Sequence, residues 1–257
     1  MATIVDAARM TAAPARARRP RIAVVIPTLN EEEPIGPVVH AVPRDLVDEI
    51  VVADSGSTDR TVDRARDAGA RVVVETDRGY GRACAAGFAA VRDCDIVVFL
   101  DGDGSDRPEL IPTLIEPILA GAYDFVIGSR TRGEREPGSM SFHQVLAGYG
   151  AGTLTRMLYG VTYTDMCAFR AIRREALERL GMREMTYGWN LEMQMKAARA
   201  GLSILEVPIA HRRRTGGASK VSGTVLGTIK ASLRIILTFA RVAFEGHRSL
   251  EVNERSR

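Results

Sequence analysis

Five short apolar runs, separated by stretches of helical periodicity, constrain this chain more than any other feature. The runs are residues 21–27 (RIAVVIP), 49–53 (EIVVA), 71–75 (RVVVE), 95–100 (DIVVFL) and 124–128 (DFVIG). The segments 34–42, 58–69, 81–92 and 108–120 between them carry the spacing of amphipathic helices. Thr58 is placed to cap the second of these helices, and Gly69 to end it. Strands that alternate with helices imply a mostly parallel sheet covered on both faces. Ligands of such sheets bind outside the carboxyl ends of the strands. Pro27–Glu31, Asp54 and the pair Asp101/Asp103 all fall at such ends.

The run that ends in Asp101-Gly102-Asp103-Gly104 carries the most chemistry. Extended backbone returns residues i and i+2 to one face, so the two carboxylates are expected to converge on one point of a crevice. Close carboxylates repel unless a cation lies between them. Oxygen ligands favour Mg²⁺ or Mn²⁺, completed by phosphate oxygens and water. Asp-Gly-Asp-Gly is also good turn chemistry, and taken alone it reads equally well as a polar turn.

At 257 residues the chain holds one sizeable α/β domain or two small ones. With 46% hydrophobic and 26% charged residues its composition is globular. A net charge of +3 is too small to argue for nucleic acid, although basic residues gather at 9–21 and again at 211–241. Cys84, Cys94 and Cys167 lack metal-site spacing and read as free thiols of a reducing compartment. Residues 1–20 lack the apolar core of a secretory signal and are expected to be a flexible tail. The best apolar stretch, 224–244, is interrupted by Lys230, Arg234 and Arg241, short of the ~20 apolar residues a spanning helix needs. After residue 129 a polar loop leads to helical segments at 142–159, 173–180 and 188–200 and a strand at 203–207. The whole reads as one domain, with a nucleotide-binding front half and an acceptor-facing back half.

Eight motifs now stand in order: VVIPTLNEEE (24–33), VVADSGSTDRT (51–61), RGYGRA (78–83), FLDGDGSDRPE (99–109), VIGSR (126–130), DMCAFR (165–170), YGWNLEMQ (187–194) and RTGGASK (214–220). With them the chain resembles the family 2 glycosyltransferases of the GT-A fold, most closely the dolichyl/polyprenyl-phosphate sugar synthase-like branch. The resemblance runs from Arg21 to about Lys220. It implies an α/β fold with a mostly parallel, doubly wound sheet and a mixed acceptor-side half over residues 21–220. An amphipathic helix would follow at 221–245, and a flexible tail at 246–257.

The resemblance also implies roles. Pro27, Thr28, Asn30 and Glu31 would line the nucleoside pocket, Asp54 would hydrogen-bond the base, and Arg78 would sit near the nucleotide. Asn30 also reads as the cap of the helix that follows it. Asp103 would be the principal ligand of Mg²⁺ or Mn²⁺, with Asp101 sharing the metal shell beside the ribose or diphosphate. Arg130, Arg214, Ser219 and Lys220 would bind acceptor or donor phosphate, since guanidinium forks suit phosphate oxygens. Arg212 and Arg213 read as solvated surface. Glu192 would be the general base for a hydroxyl acceptor; a phosphate acceptor is already ionised and needs none, and Glu192 would then orient the acceptor or donor sugar or simply cap a network. The lipid-phosphate branch carries an SGFR-like segment where this chain has Cys167-Ala168-Phe169-Arg170, and His143 reads as a helix-start residue.

Residues 222–243 read as a helix with Lys230, Arg234 and Arg241 on one side and Leu233, Ile236 and Leu237 among the rest. Such a helix either lies in a membrane interface or packs on its own domain with its basic side in water. The activity expected is inverting, metal-dependent transfer of a hexose from a GDP-mannose or UDP-glucose type donor to a polyprenyl phosphate. The alternative acceptor is a soluble or glycan hydroxyl. The expected location is cytoplasmic, peripheral at the inner face of the membrane or beside a membrane partner subunit, with no nucleic-acid partner. A nucleotidyltransferase would need a glycine-rich loop where PTLNEEE stands, and Gly79-Tyr80-Gly81 lacks dinucleotide-fold spacing.

Overall fold

The apolar runs pair into one sheet. In the computed structural model, which describes residues 18–216 and 233–245, the strands are β1 (Ile22–Thr28), β2 (Glu49–Asp54), β3 (Arg71–Val74), β4 (Ile96–Phe99), β5 (Phe125–Ser129), β6 (Arg170–Arg173) and β7 (Ile204–Pro208). Their order is β3-β2-β1-β4-β6-β5-β7. Every neighbouring pair is parallel except those of β6, which runs antiparallel to both β4 and β5. All seven residues of β1 are buried, which explains a continuous apolar run rather than an alternating one.

The helices are α1 (Ile35–Ala41), α2 (Thr61–Asp67), α3 (Tyr80–Ala90), α4 (Ile111–Leu119), α5 (Phe142–Tyr159), α6 (Arg174–Leu180) and α7 (Trp189–Arg199). In α4 the buried residues are Ile111, Leu114, Ile115 and Ile118, the i, i+3, i+4, i+7 stripe that the sequence pattern predicts. Burying each such side chain contributes about 1.5–3 kcal/mol, so this stripe alone anchors the helix to the sheet.

Two expected caps fall elsewhere. Thr58 does not cap α2: its amide donates to Asn30 Oδ1 (2.8 Å), and Asp59 Oδ1 takes the amide of Thr61 (3.0 Å). Asn30 does not cap α1, which begins at Ile35 after Pro34. It takes a left-handed φ of 52° and joins the loops after β1 and β2. Gly69 follows α2 with φ 84°, as expected of a helix stop. His143 lies in the first turn of α5, behind a Ser141/Gln144 capping box.

Residues 233–245 are helical. Residues 222–232 of the expected helix, the tails 1–17 and 246–257, and Ser219, Lys220 and Lys230 lie outside the described residues. Arg18 and Arg19, placed by the sequence reading in the tail, pair with Asp95 (3.0 Å) and Asp48 (2.7 Å). Within 233–245 the basic side is not left to water, as the self-packed alternative had it. Arg234 and Arg241 turn toward protein carboxylates, whereas Leu233, Ile236, Leu237 and Phe244 are exposed. On α5, Phe142, Leu146 and Met157 are exposed as well. Among the described residues no helix is long and apolar enough to cross a membrane.

Candidate active site

The carboxyl ends of β1 and β4 and the loop after β5 open into one cavity of about 1040 Å³. Pro27, Thr28 and Glu31 line it from the end of β1, and Arg78 from the turn before α3. Asp101 and Asp103 line it after β4, and Arg130 after β5. Arg214 reaches it from the segment beyond β7. These residues, assigned from five separate motifs, now surround one cavity. Asn30, Asp54 and Glu192 are not among the lining residues.

β4 ends at Phe99, so a turn, rather than strand alternation, brings Asp101 and Asp103 together. Gly104 adopts φ 78°, a left-handed conformation costly for other residues, and the turn folds back on itself there. The amide of Asp101 donates to Asp106 Oδ2 (3.0 Å). Ser105 donates to Asp103 Oδ1 through its amide (2.9 Å) and its hydroxyl (2.6 Å), which aims that carboxylate instead of adding a ligand. Arg214 Nη2 stands 3.2 Å from Asp103 Oδ2 and 2.8 Å from Glu31 Oε1. Burial, then the neighbouring charges of Asp106 and Asp103, push the Asp101 carboxyl well above the usual range. An acid so placed is stabilised by a cation.

His211 supplies a second mark of a cation site. It is buried, lines the cavity, and its Nδ1 makes no hydrogen bond with any described residue, standing 3.6 Å from Asp106 Oδ1. No group of three or more His, Cys, Asp or Glu side chains placed to hold a metal occurs among the described residues. The donor set therefore fits an ion that takes one or two protein ligands and completes its shell with phosphate and water. His211 has no motif spacing in the sequence. Its signal is only its place before Arg212-Arg213-Arg214, a segment stitched to the Asp103 turn by Arg212 N to Ser105 O (3.1 Å) and Thr215 N to Asp103 O (3.1 Å).

The arginines divide differently from expectation. Arg130 is held by Asp165 through its backbone amide (2.9 Å), Nε (2.8 Å) and Nη2 (2.8 Å). No described residue takes its Nη1, at the cavity wall. Arg212 and Arg213 are not idle surface. Arg212 Nε donates to Gly104 O (2.7 Å), and Arg213 lines the cavity with its Nε on Pro137 O (2.5 Å). Asp54 spends its carboxylate on its own turn, taking the amides of Gly56 (3.1 Å) and Ser57 (2.8 Å) and the Ser57 hydroxyl. It shapes the loop that presents Ser55 to the cavity.

Glu192 is fully buried in the first turn of α7. Its Oε2 accepts the amides of Arg183 (2.9 Å) and Glu184 (2.6 Å), and its Oε1 faces Lys196 Nζ (3.0 Å) and Arg241 Nη2 (3.2 Å). Burial pushes its pKa up, but those amides and Lys196 outweigh burial and hold it below the ordinary range. A carboxylate so saturated is a poor proton acceptor. Glu192→Gln is expected to cost about 1–3 kcal/mol of stability by denaturant unfolding. The pH–rate profile should keep its shape; loss of its acid limb would restore the general-base role.

The comparisons with known proteins agree with this geometry. Residues 23–181 match the model of glycosyl transferase family 2. An undecaprenyl-phosphate mannosyltransferase of Micrococcus luteus is 34% identical over 225 residues, 80% of this chain and 90% of that protein. A polyprenol monophosphomannose synthase of Mycolicibacterium smegmatis is 34% identical over 221 residues, 79% and 82%. Among solved structures, glucosyl-3-phosphoglycerate synthase from Mycobacterium tuberculosis, crystallised with Mn²⁺, UDP-glucose and phosphoglyceric acid, superposes with a TM-score of 0.71. It is 28% identical, covering 88% of this chain and 80% of that one. The chain belongs to glycosyl transferase family 2. It is a glycosyltransferase of GT-A architecture, with the mixed sheet described above.

Proposed function

We propose that the protein transfers a hexose, with inversion, from a nucleotide sugar to a polyprenyl phosphate. The observation that carries this reading is the make-up of the cavity wall. Its acids are Asp101 and Asp103, which mark the cation site, and Glu31, which Arg214 already holds. None of them is placed as a free base, whereas Arg130 keeps an Nη1 available for phosphate. A hydroxyl acceptor must lose a proton as it attacks; a phosphomonoester, with a second pKa near ~6, is already ionised. Relatives named for undecaprenyl and polyprenol phosphates support the same acceptor.

Asp103, with Asp101 and His211 beside it, would hold Mg²⁺ or Mn²⁺, and the Mn²⁺ of the similar glucosyl-3-phosphoglycerate synthase supports that assignment. When bound, the ion would stabilise the charge of the departing nucleoside diphosphate. Ser105 keeps Asp103 aimed, and Arg78 and Arg214 add positive charge along the donor path. Arg130, fixed by Asp165, presents its remaining N–H groups to the acceptor phosphate, so that attack is in line and positioning lowers the barrier. The exposed apolar faces of α5 and the 233–245 helix suit a peripheral position at the cytoplasmic membrane surface, where a prenyl chain resides.

A second reading, a soluble phosphorylated acceptor, is favoured by the likeness to glucosyl-3-phosphoglycerate synthase. Radiolabelled UDP-glucose and GDP-mannose, each offered undecaprenyl phosphate in detergent or 3-phosphoglycerate in buffer, separate the two. Label in the organic phase, lost on adding EDTA, is the expected result. Label only in aqueous product would move the assignment to the soluble acceptor.

A further inference from the structure

One carboxylate outside the metal turn joins three parts of the molecule. Glu184 is buried, in the loop between α6 and α7. Its Oε1 accepts the amide (3.0 Å) and hydroxyl (2.5 Å) of Thr186. Its Oε2 accepts the Thr238 hydroxyl (3.0 Å) and lies 3.5 Å from Arg241 Nη2, both on the 233–245 helix. Arg234 on that helix adds Nε to Thr186 Oγ1 at 2.9 Å. Residues 234, 238 and 241 follow i, i+4, i+7 spacing, so a single seam of the helix makes all these contacts. Helix and loop come close enough that a Cβ on Gly188 would stand 2.3 Å from Thr238 Oγ1.

The loop held this way is a wall of the cavity. Thr186 and Tyr187 line it, and the carbonyl of Met185 accepts the amide of Arg82 (3.0 Å) at the start of α3. Arg78, Gly79 and Tyr80, just before and within that first turn, line it too. The helix seam, Glu184, Thr186 and the Arg78 turn thus form one chain of direct contacts. Burial excludes water from the Glu184 carboxylate, which strengthens these bonds and makes loss of one partner costly.

We propose that Glu184 is a positioning residue for the donor side of the cavity. It ties Thr186 to the 233–245 helix, and through Met185 it fixes the turn that carries Arg78. The placement of that helix then sets donor affinity from outside the cavity. This rests on the reading of the cavity as a nucleotide-sugar site, so the test includes a signal independent of transfer. Trp189, the single tryptophan, is buried directly after Gly188 and packs edge-on to Phe99, and it reports the loop by its emission.

The experiment compares Glu184→Gln, Thr238→Val and Thr238→Ser in the full chain, with Val242→Ala as the control. Val242 is buried on the same helix in a cluster with Ala151, Leu191 and Met195, and is not among the residues that line the cavity. The first two variants should raise the donor KM about fivefold while changing kcat less than about twofold, and should shift Trp189 emission. Thr238→Ser, which keeps the hydroxyl, should restore both. Val242→Ala should lower the melting temperature with donor KM unchanged. A purely structural Glu184 would lower melting temperature and active fraction but leave KM where it was, and that result overturns the proposal. So does an equal rise in KM for Val242→Ala. Should the wild-type chain transfer no sugar, the site reading fails by itself. Trp189 emission then decides: a shift in Glu184→Gln and Thr238→Val that Thr238→Ser does not show supports the tie, and unaltered emission removes it.

Discussion

Asp103→Ala is expected to lower sugar transfer by about a thousandfold or more, a loss comparable with removing the main electrostatic stabiliser of a transition state. The carboxylate is oriented by both donors of Ser105 and approached by Arg214, so it is aimed rather than merely present. Its side-chain partners are Ser105 in the same turn and Arg214 beyond β7, both outside the core, so its loss leaves the core contacts of β4 untouched. The melting temperature should therefore stay near that of the wild type while the radiolabel assay goes dark. More than about a tenth of wild-type turnover in the purified variant would falsify the role given to Asp103.

Asp165→Ala should have the largest effect on stability, about 3–5 kcal/mol by denaturant unfolding. The aspartate is 1% exposed and makes three hydrogen bonds to Arg130, which is itself 15% exposed. Removing it leaves a guanidinium in a poorly solvated wall with no opposite charge. Burial alone would raise the Asp165 pKa, but the bonds and charge of Arg130 outweigh it and hold it below the ordinary value of 3.8. A folded pKa below the unfolded one means that this stabilisation is complete at neutral pH. It fades as pH falls below about 4 and through the folded value. Unfolding curves at pH 7 and pH 3 should show the wild type losing stability and Asp165→Asn losing less. Parallel losses would place the acid sensitivity elsewhere.

Strands β1, β2, β4 and β5 were legible because they are buried on both faces, and a continuous apolar run has few other readings. Their carboxyl ends were legible with them, which is why Pro27, Thr28, Glu31, Asp101, Asp103 and Arg130 meet at one cavity. What escaped depends on contacts far apart in the chain. His211 is brought beside Asp106 by backbone pairing of the segment after β7 with the Asp103 turn, and no local pattern announces that. Glu192 sits in a motif that suggests chemistry, yet its carboxylate is consumed by two amides and two cations contributed by three other segments or turns. The 233–245 helix shows the same gap from the other side. Its arginines looked solvent-bound until Glu184 and Glu192 were seen beneath them.

The reversed direction of β6 has an effect on the charges at the sheet's edge. β4 and β5 point the same way but are not neighbours; β6 lies between them as a spacer. Two interstrand steps hold their ends roughly 10 Å apart. Were the two strands adjacent, Arg130 could swing across and neutralise Asp101 directly, leaving neither with a charge to offer. The lead-in to β6 instead brings Asp165 to Arg130, giving the guanidinium its own counterion. The inserted strand thus acts as a spacer: Arg130 donates its hydrogen bonds to Asp165, and its charge reaches Asp101 only as a neighbour that partly offsets the burial of that acid.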